Sequence, residues 1–82
     1  MKRITWTESA KTDVRALDKP NAMRVLHALH RFAETGTGDV KKLQGDVDEL
    51  RLRIGDHRLF FVYNQDEAIE VRRVRHRGEA YR

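Results

Sequence analysis

Apolar residues recur along the chain in two rhythms, one helical and one of strands. Ile4 and Trp6 alternate with Arg3 and Thr5, the period of a short half-buried strand. Thr7 stands where a helix cap would, and Ala10, Val14 and Leu17 then recur at i, i+4 and i+7, which predicts a helix over roughly 8–17. Asp18, Lys19 and Pro20 break that run, and Pro20 suits the first turn of a second helix. Ala22, Val25, Leu26, Leu29, Phe32 and Ala33 make the apolar stripe of that helix, with Arg24, His27, Arg31 and Glu34 off it, and Gly36 and Gly38 end it.

Residues 36–48 (GTGDVKKLQGDVD) hold three glycines and no sustained period, and read as a loop. Strands follow. Over 49–54, Leu50, Leu52 and Ile54 point one way and Glu49, Arg51 and Arg53 the other. Gly55 and Asp56 form a hairpin signal leading into a strand over 58–63, and residues 64–67 (NQDE) turn the chain into a last strand over 68–74. There Ile69 and Val71 share a face while Val74 is out of phase, so a β-bulge near Arg72 and Arg73 is expected to return Val74 to the core. The order is β-α-α-β-β-β. It predicts an α+β fold in which two N-terminal helices pack on one face of a small, mostly antiparallel sheet of three or four strands. The other face would carry Arg51, Arg53 and either Arg73 or Arg75.

The chain has 82 residues, enough for one domain spanning 1–82. A chain of that length buries only about 60–65% of its unfolded surface, so its core is small. The longest unbroken apolar run, Leu59–Tyr63, is far short of the roughly 20 residues that span a bilayer, so no membrane association is expected. Met1, Lys2 and Arg3 are not followed by the apolar stretch of a signal peptide, and there is no cysteine; both fit a cytoplasmic protein.

Lys and Arg number 17 against 13 acids, a net charge of +4 that biases the protein toward an anionic partner. No lysine occurs after Lys42, and the eight strong bases from Glu49 onward are all arginine. Arginine's planar fork matches phosphate oxygens and stacks on bases. A GC-rich genome would enrich arginine generally but would not cluster it. There is no phosphate-cradling glycine loop, no serine nucleophile elbow and no HExxH motif. His27 and His30 lack further ligands at metal-binding spacing and read as solvated helix positions. Neither a metal nor a cofactor is expected.

The segments 49–63 (ELRLRIGDHRLFFVY) and 74–82 (VRHRGEAYR) carry an RxRxGxxR hairpin and a terminal HRxxxY. Together with the aromatic-bearing first strand, the two helices and KLQG at 42–45, they resemble the RelE/ParE superfamily of toxins from type II toxin–antitoxin systems. The resemblance covers nearly the whole chain. It implies a RelE-like fold and a ribosome-dependent endoribonuclease that cleaves mRNA in the A site, inhibiting translation. In that chemistry the mRNA's own 2′-hydroxyl attacks the adjacent phosphate without a metal. Arg51, Arg53 and Arg75 would bind the RNA, Arg51 and Arg53 at positions often held by lysine in the family. Arg58, Arg77 and Tyr81 would be catalytic, the arginines stabilising the charge of a developing phosphorane and Tyr81 stacking on a base or exchanging a proton. Arginine is a poor general base near neutral pH, which makes His57 and His76 candidates for proton transfer.

The implied partners are a cognate antitoxin with an acidic, partly disordered segment, the ribosome and mRNA. The toxin–antitoxin complex would be able to form higher oligomers that bind operator DNA through the antitoxin. No C-terminal helix is expected after Tyr81. Two other readings stand beside this one: a ParE-like toxin that inhibits DNA gyrase by protein binding without nuclease activity, and an inactive partner-binding module. Arg58 and Tyr81 also admit a purely supporting role for the hairpin and the chain end.

Overall fold

The computed structural model describes residues 1–43, 45 and 48–78. Along them run β1 (Ile4–Trp6), α1 (Glu8–Arg15), α2 (Lys19–Thr35), β2 (Asp39–Lys42), β3 (Leu50–Ile54), β4 (His57–Tyr63) and β5 (Ile69–His76). The strands form one sheet in the order β1-β5-β4-β3-β2. From β2 to β5 the chain is an antiparallel meander, and β1 joins β5 in parallel, with Ile4 opposite Ile69 and Trp6 opposite Val71. The α+β architecture read from the pattern is present, but on a sheet of five strands rather than three or four.

The additional strand is β2, inside the segment expected to be a loop. Only Val40 of its four residues packs against the core, while Asp39, Lys41 and Lys42 are exposed. A short, charged strand is what a sheet edge needs to discourage pairing with other chains, and it carries almost no periodic signal. Helix α1 also stops at Arg15, earlier than expected: the Leu17 amide bonds the Val14 carbonyl at i−3, tightening the last turn instead of extending the helix.

Local chemistry explains the other boundaries. Thr7 caps α1, its hydroxyl oxygen accepting from the Ala10 amide. Pro20 sits in the first turn of α2, and Gly36 ends that helix in the left-handed conformation (φ 76°), its amide bonded to the Phe32 carbonyl. At the hairpin between β3 and β4, Gly55 takes φ 58° at the loop position that a primed turn reserves for glycine. The Asn64 side-chain oxygen accepts from the amides of Asp66 and Ala68, closing the turn before β5.

Both helices lie on the same side of the sheet. Ala10, Val25, Leu29, Phe32 and Ala33 meet Leu52, Leu59, Phe61, Ile69, Val71 and Val74 in one core. Phe61 on the central strand is fully buried, with its ring 5.4 Å from that of Phe32. Burying each large side chain of this kind contributes about 1.5–3 kcal/mol. The bulge is where the phase slip placed it: Phe60 pairs with Arg73 and Phe61 with Val71, leaving Arg72 as the extra residue. Val71 and Val74 therefore both reach the core. Among the described residues no helix is long and apolar enough to cross a membrane.

Candidate functional site

With the helices on one face, strand alternation sends the intervening residues to the other. The pairing register aligns them in two rows across the sheet. One row reads Asp39, Arg53, Arg58, Arg75 and the other Lys41, Arg51, Phe60, Arg73. Neighbouring strands lie about 4.8 Å apart, so Arg53, Arg58 and Arg75 stand within roughly 10 Å of one another. Like charges directly opposite each other destabilise a sheet. Three arginines in line, with one acid at the end of the row, are not what sheet pairing by itself favours, and they suit a polyanion.

The arginines are held differently. Arg58 is buried; its Nη1 donates to the Gly55 carbonyl at 2.9 Å and to the His57 carbonyl at 3.1 Å, while its buried Nε has no hydrogen-bond partner among the described residues. It therefore braces the hairpin turn from within the row. Arg73 lies at the margin, its guanidinium gripped by both carboxylate oxygens of Asp13 at 2.9 and 3.2 Å. Arg53 is exposed and Arg75 half-buried, and among the described residues neither pairs with a carboxylate.

Arg77 follows β5 and is exposed beside the same hairpin. Its amide donates to the Asp56 carbonyl at 2.6 Å, and its guanidinium is 3.8 Å from the Asp56 carboxylate. Arg58 and Arg77 are thus both anchored to the Gly55–Asp56 turn, Arg58 from β4 and Arg77 from just beyond β5. Tyr81, the remaining residue expected to be catalytic, lies outside the described residues.

His57 and His76 are not brought to the arginine face. They pair across β4 and β5 with the helix-side phase of Leu59 and Val74, and their rings meet edge to face at 5.5 Å. Together with Asn21 and Arg24 of α2 they line a small cavity of about 160 Å³ behind the hairpin. The His76 Nδ1 accepts from the Gly78 amide at 3.3 Å, which leaves Nε2 as the protonated nitrogen of the neutral ring. Nearby, the Asn21 amide donates to Asp18 at 2.7 Å and holds that exposed carboxyl below the usual carboxylate range. The alternation that gathers the arginines sends these imidazoles to the other side of the sheet.

Sequence reasoning did not single out Lys41 or Asp13, and read Asp56 only as a turn residue. Lys41 alternates with Val40, a signal that has meaning only once β2 is recognised as a strand. The roles of Asp13 and Asp56 depend on contacts with Arg73 and Arg77 that no local pattern encodes.

A family model described as the ParE toxin of the type II toxin–antitoxin system parDE matches residues 4–81. No protein of curated function matches the sequence. Among solved structures, a chain of the archaeal RelE–RelB complex from Pyrococcus horikoshii OT3 is similar at 26% identity and TM-score 0.77, covering 96% of this chain and 98% of that one. The isolated RelE toxin of E. coli shares the fold at 17% identity and TM-score 0.76, covering 93% of this chain and 84% of that one. So does a chain of the E. coli DinJ–YafQ toxin–antitoxin complex, at 12% identity and TM-score 0.77, covering 99% and 98%.

Proposed function

The chain belongs to the RelE/ParE superfamily of type II toxin–antitoxin toxins, and from that premise we propose that it is a ribosome-dependent endoribonuclease that cleaves mRNA in the A site. The observation that carries this reading is the row of Arg53, Arg58 and Arg75, flanked by Arg51 and Lys41, on the sheet face opposite the helices. An unbalanced row of guanidiniums is suited to a phosphodiester backbone, where each cation that displaces a counterion adds salt-dependent affinity.

In this mechanism the mRNA 2′-oxygen forms a bond to the adjacent phosphorus and the bond to the 5′-oxygen breaks. The products are a 2′,3′-cyclic phosphate and a 5′-hydroxyl, with one proton removed from the nucleophile and one delivered to the leaving oxygen. Arg51, Arg53 and Arg75 bind the strand. Arg58 and Arg77, both anchored at the hairpin turn, stabilise the extra charge on the phosphorane. With His57 and His76 behind the sheet, proton transfer falls to Tyr81 or to groups of the ribosome and RNA. A cognate antitoxin with an acidic segment neutralises the toxin by covering the arginine face, and the complex binds operator DNA through the antitoxin.

The family model's description as a ParE toxin favours a second reading, inhibition of DNA gyrase by protein binding. One experiment separates the two. Purified protein is added to a reconstituted translation reaction and new mRNA 5′ ends are mapped, with gyrase supercoiling assayed in parallel. Discrete cleavage that requires ribosomes supports the nuclease. Loss of supercoiling with intact mRNA supports the gyrase reading instead.

A further inference from the structure

β5 changes phase at Arg72, and everything after it depends on that extra residue. Before the bulge Ile69 and Val71 face the core; after it Val74 does, and Arg75 stands beside Arg58 on the open face. Without the bulge, regular alternation through Arg72 would turn Val74 outward and Arg75 toward the helices, because a one-residue slip exchanges the two faces of a strand.

β1 supports the outer edge of β5 only over Ile69–Val71. Past that point α1 and its cap take over. The Thr7 amide donates to the Val71 carbonyl and the Thr7 hydroxyl to the Arg72 carbonyl, both at 3.0 Å. Nearly two turns further along α1, an Asp13 carboxylate oxygen accepts from the Val74 amide at 2.9 Å while the same carboxylate takes the fork of Arg73. The Asp13 side chain is only 13% exposed. A single carboxylate thus receives three donors from the two residues immediately after the bulge, and it ties them to a helix that is itself seated in the core through Ala10.

We infer that Asp13 is a positioning residue for the arginine face: it locks the bulged segment of β5 and so sets where Arg75, and Arg77 beyond it, are presented to RNA. Its grip on Arg73 also neutralises that cation at the margin of the face, while Arg75 keeps its charge for a ligand. The inference rests on the nuclease reading for its functional consequence but on the contacts of Asp13 alone for its structural one, and the test keeps the two apart.

Asp13→Ala, Asp13→Asn and Arg73→Ala are compared with wild type in single-turnover cleavage on programmed ribosomes, at a temperature where each is folded. Amide hydrogen exchange of Val74 and Arg75 is measured on the same proteins. Asp13→Ala should lower the limiting rate by about 10- to 100-fold, since displacements near 1 Å have effects of that size, while half-saturation moves less than about threefold. Asp13→Asn keeps an oxygen for the Val74 amide but faces Arg73 without charge, and should lose less. Exchange should accelerate at Val74 and Arg75 and not on β3. The inference is overturned if folded Asp13→Ala cleaves within about twofold of wild type, or if protection at Val74 is unchanged. If the wild-type protein cuts no mRNA, the nuclease reading fails, and the exchange result alone decides whether Asp13 locks the strand.

Discussion

Arg58 stands in the arginine row but spends its Nη1 on the hairpin turn, and replacing it separates the two roles. The Gly55 and His57 carbonyls each accept from that nitrogen, and Nε is buried without a partner among the described residues. Hydrogen bonds from charged groups contribute about 1.5–3 kcal/mol each. Two reasons favour the low end here: the bonds share one nitrogen, and the carbonyl of exposed Gly55 can return to water. The uncompensated Nε subtracts further, so a net loss of about 2 kcal/mol is expected for Arg58→Ala. In a domain of this size 1 kcal/mol moves Tm by about 4–8 °C, which places the variant roughly 8–16 °C below wild type. Arg58→Lys should recover part of that, since an ammonium can reach a carbonyl but lacks the planar fork. Thermal unfolding followed by circular dichroism measures this, and mRNA cleavage well below the lowest Tm measures the other role. A Tm for Arg58→Ala within about 2 °C of wild type refutes the brace. A lowered Tm with an unchanged rate removes Arg58 from the proposed catalytic set.

Three further outcomes are expected. Thr7→Ala removes both the cap of α1 and the bond to the Arg72 carbonyl, and should reduce unfolding free energy by about 1–2 kcal/mol in urea titrations. At Gly38 an added Cβ would lie 2.8 Å from the Leu52 Cδ1, and Leu52 is core-packed, so Gly38→Ala should destabilise by about 1–3 kcal/mol, read in the same titrations. Partial desolvation raises the Tyr63 phenol above its ordinary value of 10.0, an effect kept small because the residue is still 42% exposed. The unfolded chain then ionises first, so stability is intact below that pH and declines as pH climbs through the raised folded value; in Tyr63→Phe this part of the decline, measured by denaturation at graded pH, should vanish.

The two periodicities suffice for the helix stripe of Val25, Leu29, Phe32 and Ala33, for the hairpin at Gly55 and for the bulge at Arg72, because each leaves a local mark: a 3.6-residue repeat, a turn dipeptide or a parity slip. Strand parity alone also sets Arg51 and Arg53 opposite the core. β2 escapes because a charged four-residue edge strand has one apolar side chain and no period to show. The parallel seat of β1 against β5, and hence the need for α1 to finish that edge, joins residues more than sixty positions apart in the chain.

Residue types in the site are legible, but not their company. His57 and His76 sit beside Arg58 and Arg75 in the sequence, and one-residue alternation puts them on the other side of the sheet. Asp13 is an ordinary surface acid by pattern and Asp56 a turn residue, and only the packing of α1 on β5 and of the strand end on the hairpin gives them arginines to hold. Local patterns decide which face a side chain takes within its own strand. Which strands lie side by side, and so which charges meet, is decided by long-range pairing and by burial of the shared core.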